Sequence, residues 1–233
     1  MSPRRGVCAA RSCSAAVIDR EIRFAISTTS LIADWDTVGG MTDDPYAGWA
    51  LIVVDAQQGF DDPSWGVRNN PACDDNIAAL VDDWSSHDRP LVYVRHDGTE
   101  RDSPLTPGTP GNELRDYLGK AEPHLLVSKQ VNSAFHGSPD LHAWLLGQQT
   151  AGIVVCGITT NHCCETTVRV GANLGHDVLF PIDATFCHDR RHPDGITLSA
   201  DELTRATAAS LHDEFANVTT TEEILAGRAR PID

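Results

Sequence analysis

Cys163 lies in the stretch Gly157-Ile158-Thr159-Thr160-Asn161-His162-Cys163-Cys164-Glu165-Thr166-Thr167, just after the apolar run Ile153 to Cys156. A cysteine thiolate can attack a carbonyl carbon and form a thioester, splitting one hard hydrolysis into two easier steps. An ordinary thiol, with a pKa of about 8.5, is only a few per cent ionised at neutral pH, so its surroundings must activate it. The short β-branched run bounded by glycines reads as a strand buried on both faces. Thr160 or Asn161 then reads as the cap of a helix running to about Leu174, with Gly175 at its C′ position. A thiol in the first turn of such a helix meets unpaired N–H groups and the positive end of the dipole, which favour the thiolate. Two further residues have chemistry to offer. Asp55 follows the apolar run Ala50 to Val54, and Lys129 follows Leu125 to Ser128. An aspartate there can take the thiol proton and return it to a leaving nitrogen, while an ammonium stabilises the thiolate. Lys120 and Lys129 are the only lysines among 18 basic residues, so a lysine at a strand end stands out.

The three apolar runs read as strands, and the carboxyl ends of strands in an open parallel sheet form the usual ligand crevice. Helical spacing of Ile77, Leu80, Val81 and Trp84 predicts a helix from Pro71 to Ser86, and Pro90 to His96 reads as the next strand. A helix from Pro139 to Gly147, a strand from Asp177 to Ile182 and an edge strand from Asn217 to Thr219 follow. Ser199-x-x-Glu202 is a capping box that opens a helix to about Phe215. This alternation predicts one α/β domain with a six-stranded, mainly parallel sheet over residues 41–233. Residues 1–40 show no period and are expected to form a poorly ordered extension. The glycine- and proline-rich stretch 98–111 reads as a surface loop over the site, with Phe60 and Trp65 as further walls.

The net charge of −15 argues against a nucleic acid or an anionic membrane as partner and leaves a cationic substrate open. Seven cysteines without a small-domain framework predict reduced thiols and a cytoplasmic protein. No apolar run approaches the roughly 18 residues of a membrane helix. Phe186, Cys187, His188, Arg190 and His192 form a local polar cluster, but four well-spaced metal ligands are not evident, so neither metal nor cofactor is expected.

Gly157-x-x-Thr160-x-x-Cys163-x-x-x-Thr167 resembles the nucleophile motif of the isochorismatase-like cysteine hydrolases. Asp55-x-Gln57-x-x-Phe60 resembles the family's aspartate segment, and Lys129 with Ser133-Ala134-Phe135-x-Gly137-x-x-x-Leu141 its lysine segment. The similarity runs from about Trp49 to Leu225. It implies a three-layer α/β/α fold and a catalytic triad of Asp55, Lys129 and Cys163. It also implies an oxyanion hole from the backbone N–H groups of Thr159 and Cys163, beside a cis peptide at Ile158–Thr159. Gln57, Phe60, Trp65, His96, Phe135 and Phe186 are the expected substrate-binding residues. The Asp-x-His metal pair of nicotinamidases is replaced by Arg95-His96-Asp97-Gly98, which argues against a metal site. The resemblance implies hydrolysis of a C–N bond in a small amide, ureide or lactam through a thioester, by a homodimer or homotetramer. The wording around Cys163 leans towards streptothricin hydrolase. A nicotinamidase-type amidase, a non-catalytic binding member of the fold and a Cys163–Cys164 redox pair are the alternatives.

Overall fold

The computed structural model describes residues 44–232; the expected extension over residues 1–40 lies outside them. In chain order the elements are β1 (Trp49–Val54), α1 (Cys73–Ser86), β2 (Leu91–His96), β3 (Leu125–Lys129), α2 (Leu141–Gly147), β4 (Gly152–Ile158) and α3 (Glu165–Asn173). Then follow β5 (Val178–Pro181), β6 (Thr185–Phe186), β7 (Arg190–Arg191), β8 (Thr197–Leu198), α4 (Ala200–Leu211), β9 (Asn217–Thr219) and α5 (Thr221–Leu225).

The main sheet runs β3-β2-β1-β4-β5-β9, parallel at every pairing, and β6 adds a short parallel segment beside the end of β4. All six residues of β1 and all seven of β4 are buried, as continuous apolar runs in a doubly covered sheet should be. Strand alternation divides their side chains between two cores. Leu51, Val53, Val154 and Cys156 face Ile77, Leu80 and Trp84 of α1 and Ile224 of α5. Ala50, Ile52, Val54, Ile153 and Val155 face Leu141 and Leu145 of α2, Val168 of α3 and Leu211 of α4. This is the expected three-layer α/β/α arrangement.

From β1 the chain steps outward through β2 and β3, then returns to place β4 against the other side of β1. The direction of winding reverses between those two strands, and a crevice opens beyond their carboxyl ends. Element ends differ from the predicted ones where caps intervene. Helix α2 starts at Leu141 because the Asp140 carboxylate accepts the Ala143 N–H. The capping box at Ser199 and Glu202 is formed, but α4 stops at Leu211, before Asp213 turns into the left-handed region at φ +64°. Among the described residues, no helix is long and apolar enough to cross a membrane.

Candidate active site

Asp55 and Lys129 arrive at the crevice by simple register. Asp55 is the residue after β1, its backbone left-handed at φ +50°, and its N–H donates to Val94 O on β2. Lys129 is the last residue of β3, paired with His96 at the end of β2. Cys163 comes from the turn after β4. Gly157 makes that turn possible: its φ is +125°, and a Cβ there would lie 2.0 Å from Val54 O. The Ile158–Thr159 peptide is cis.

The turn differs from the predicted helix start. Thr159 is extended, Thr160–Cys164 form one π-helical turn, and regular α-helix begins only at Glu165. Thr160 Oγ1 donates to Thr185 Oγ1 on β6 at 2.9 Å, and Thr167 Oγ1 accepts the Ala134 N–H at 3.1 Å. These two motif threonines therefore fasten the turn and α3 to their neighbours.

Lys129 Nζ stands at the centre of the site, 2.6 Å from Asp55 Oδ2, 3.1 Å from His96 Nδ1 and 3.5 Å from Cys163 Sγ. Burial opposes the Lys129 charge, but Asp55 and Cys163 outweigh it and hold the ammonium above its usual pKa. Burial raises the Asp55 carboxyl, against the pull of Lys129. The Cys163 thiol is likewise pushed up, first by burial and then by the neighbouring Asp55 charge, with Lys129 countering. Burial and the Asp55 charge thus favour the thiol over the thiolate. The expectation of a helix terminus favouring thiolate is corrected, because Cys163 is only 8% exposed and lies in the π turn rather than in the first turn of α3. Asp55 Oδ1 is buried without a hydrogen-bond partner. A carboxylate oxygen of Asp55, a ring nitrogen of His96 and Cys163 Sγ lie within 4.8 Å of one another, a spacing that could hold a metal ion, but the Lys129 ammonium already stands among them.

A cavity of about 640 Å³ opens onto Cys163. Phe60, Trp65, His96, Thr159 and Cys163 line it, and loop residues 100–105 form its other wall. Three expected substrate-binding residues are elsewhere. Gln57 is a strut: its amide accepts the His96 N–H at 2.8 Å and donates to His96 O at 3.0 Å and Asn112 O at 2.9 Å. Phe135 stacks on His176 with ring centroids 5.7 Å apart and contributes nothing to the cavity wall. Phe186 is fully buried beneath the Arg68 guanidinium, 3.6 Å from its ring centroid. Arg190, His162, Gln130 and Asn132 line the cavity and were not expected there. In sequence Arg190 and His192 stand only in a local polar cluster; the β7–β8 hairpin that folds Arg190 back has no strong period in so short a segment.

Fold and site together place a buried cysteine beside a lysine and an aspartate at the switch point of a parallel α/β sheet. The isochorismatase domain model matches residues 49–223, and the chain belongs to the isochorismatase family. It is 32% identical over 176 residues to the isochorismatase family protein YrdC of Bacillus subtilis, covering 76% of this chain and 94% of that one. It is 28% identical over 167 residues to a streptothricin hydrolase of Streptomyces noursei, covering 71% of this chain and 60% of that one. A cysteine hydrolase from Pseudomonas syringae superposes with a TM-score of 0.70 at 27% identity, covering 78% of this chain and 92% of that one.

Proposed function

We propose that this isochorismatase-family hydrolase cleaves a C–N bond in a small amide, ureide or lactam, with Cys163 as nucleophile. One observation carries the reading: Lys129 Nζ reaches both Asp55 Oδ2 and Cys163 Sγ, while Asp55 Oδ1 is buried beside them with no other partner. A buried acceptor left open costs free energy unless a donor arrives. The Cys163 thiol proton is that donor. Asp55 takes it as the sulfur attacks the carbonyl carbon, and Lys129 offsets the charge that develops on sulfur. The oxyanion forms against the N–H groups of Thr159 and Cys163, both on the cavity wall. Asp55 then hands its proton to the leaving nitrogen, and an amine departs from the thioester. Water enters, gives a proton to Asp55 and attacks the acyl carbon, which releases the acid and the thiol.

Similarity to streptothricin hydrolase makes a streptothricin-type lactam the first substrate to try, and the acidic chain suits a cationic one. The test is amine or ammonia release by wild type and Cys163→Ala from nicotinamide, carbamoyl compounds, biuret and a streptothricin-type lactam. Turnover of one class, abolished in the variant, supports the reading. Equal turnover by both proteins overturns the role of Cys163, and no turnover of any compound favours a non-catalytic binding protein.

A further inference from the structure

His96 offers more than a wall of the cavity. An ammonium has three N–H donors and no lone pair. The Lys129 ammonium has three neighbours in reach: Asp55 Oδ2, His96 Nδ1 and Cys163 Sγ. Since Lys129 can only donate, His96 Nδ1 must accept. A ring nitrogen that accepts carries no proton, so the neutral ring carries its proton on Nε2. The Nε2 atom has no hydrogen-bond partner among the described residues, and the side chain borders the cavity that opens onto Cys163.

We infer that His96 is a positioning and specificity-determining residue, whose Nδ1 aims the Lys129 ammonium between Asp55 and Cys163 and whose Nε2–H is a donor for an acceptor oxygen of the substrate. The ligand class follows from that donor: a compound with a carbonyl or hydroxyl oxygen near the scissile bond. The surroundings agree with a neutral ring. Burial, then the Lys129 charge, hold the imidazolium below its usual pKa, against weaker opposing effects of Asp55, Glu100 and Asp97. Gln57 and Asn112 fix the backbone that carries the ring, since their amides bond the His96 N–H and carbonyl. The inference rests on the hydrolase reading only for its substrate half.

The test separates the two nitrogens. In protein labelled with ¹⁵N-histidine at pH 7, His96, assigned by its absence from His96→Asn, should show an unprotonated Nδ1 and a protonated Nε2. A protonated Nδ1 overturns the inference, whether or not any substrate is found. His96→Asn keeps a short acceptor for Lys129 and lacks the reach into the cavity. His96→Gln places its amide donor near the Nε2 position and loses the Nδ1 acceptor. Alkylation of Cys163 by iodoacetamide, which needs no substrate, should stay within about twofold of wild type in His96→Asn and fall about tenfold in His96→Gln. With an amide substrate, KM should rise about tenfold in His96→Asn, and kcat should carry most of the loss in His96→Gln. Equal alkylation by both variants, or the reverse order, would remove the positioning role. An unchanged KM in His96→Asn would remove the substrate contact.

Discussion

Lys129 Nζ donates to Asp55 Oδ2 across 2.6 Å, and neither side chain is exposed to solvent. Breaking one partner of such a pair leaves the other charge buried alone, at a cost of about 3–5 kcal/mol. Lys129→Met is therefore expected to lower unfolding free energy by that amount in urea titrations. Asp55→Asn combined with Lys129→Met removes both charges and should recover most of the loss. A double variant less stable than Lys129→Met alone would show that packing, not charge, holds this corner together.

Next to burial, the Asp55 charge raises the Cys163 pKa, and in the proposed mechanism the same carboxylate accepts the thiol proton. Asp55→Asn removes both effects. Hydrolysis is expected to fall about 10²- to 10⁴-fold with the loss of the proton carrier. Lys129 then acts on the thiol without an opposing carboxylate, so iodoacetamide should alkylate Cys163 at pH 7 at least as fast as in wild type. Parallel loss of both activities would mean that Lys129 needs Asp55 to stay in place.

Gly157 has the tightest surroundings of any glycine around the site, with Val54 O, C and N all within 2.7 Å of a built Cβ. Gly157→Ala would have to part β4 from β1 and leave a left-handed φ. It is expected to cost more than about 2 kcal/mol and to move Cys163 away from Lys129. Thermal unfolding measures the first effect and iodoacetamide labelling the second.

The Arg89 guanidinium holds the Asp44 carboxyl below its usual range, chiefly by hydrogen bonding. A carboxyl depressed on folding adds stability above its unfolded pKa of about 3.9, and that contribution disappears as pH falls through the folded value. Asp44→Asn should thus reduce stability at pH 7, and by less at acid pH. The difference in melting temperature between wild type and variant should hold constant from pH 7 to about pH 5 and shrink as the pH falls further. A constant difference would mean that Asp44 acts through its shape rather than its charge.

The sheet was legible because burial on two faces writes itself as uninterrupted apolar, β-branched runs, as in Ala50 to Val54 and Ile153 to Cys156. Strand-end position and residue type, together with the family motifs around them, then pointed to Asp55, Lys129 and Cys163. What escaped depended on side-chain direction. Gln57 carries the same polar amide whether it faces a ligand or, as here, straps β2 to the loop at Asn112. Phe186 sits one strand beyond the site and turns into the core under Arg68, a choice decided by packing that its neighbours in sequence do not announce. The setting of Cys163 escaped for a similar reason: local helix geometry favours the thiolate, while the burial that favours the thiol comes from distant parts of the chain.

The left-handed backbone at Asp55 also bears on descent. Aspartate, asparagine and glycine enter that conformation far more readily than other residues. A lineage from this chain that kept the fold and abandoned its chemistry would pass most easily through Asn or Gly at position 55, and only with difficulty through Val or Ile. The loss of this activity should therefore leave a narrow signature in sequence, readable in relatives as a restricted alphabet at one strand end.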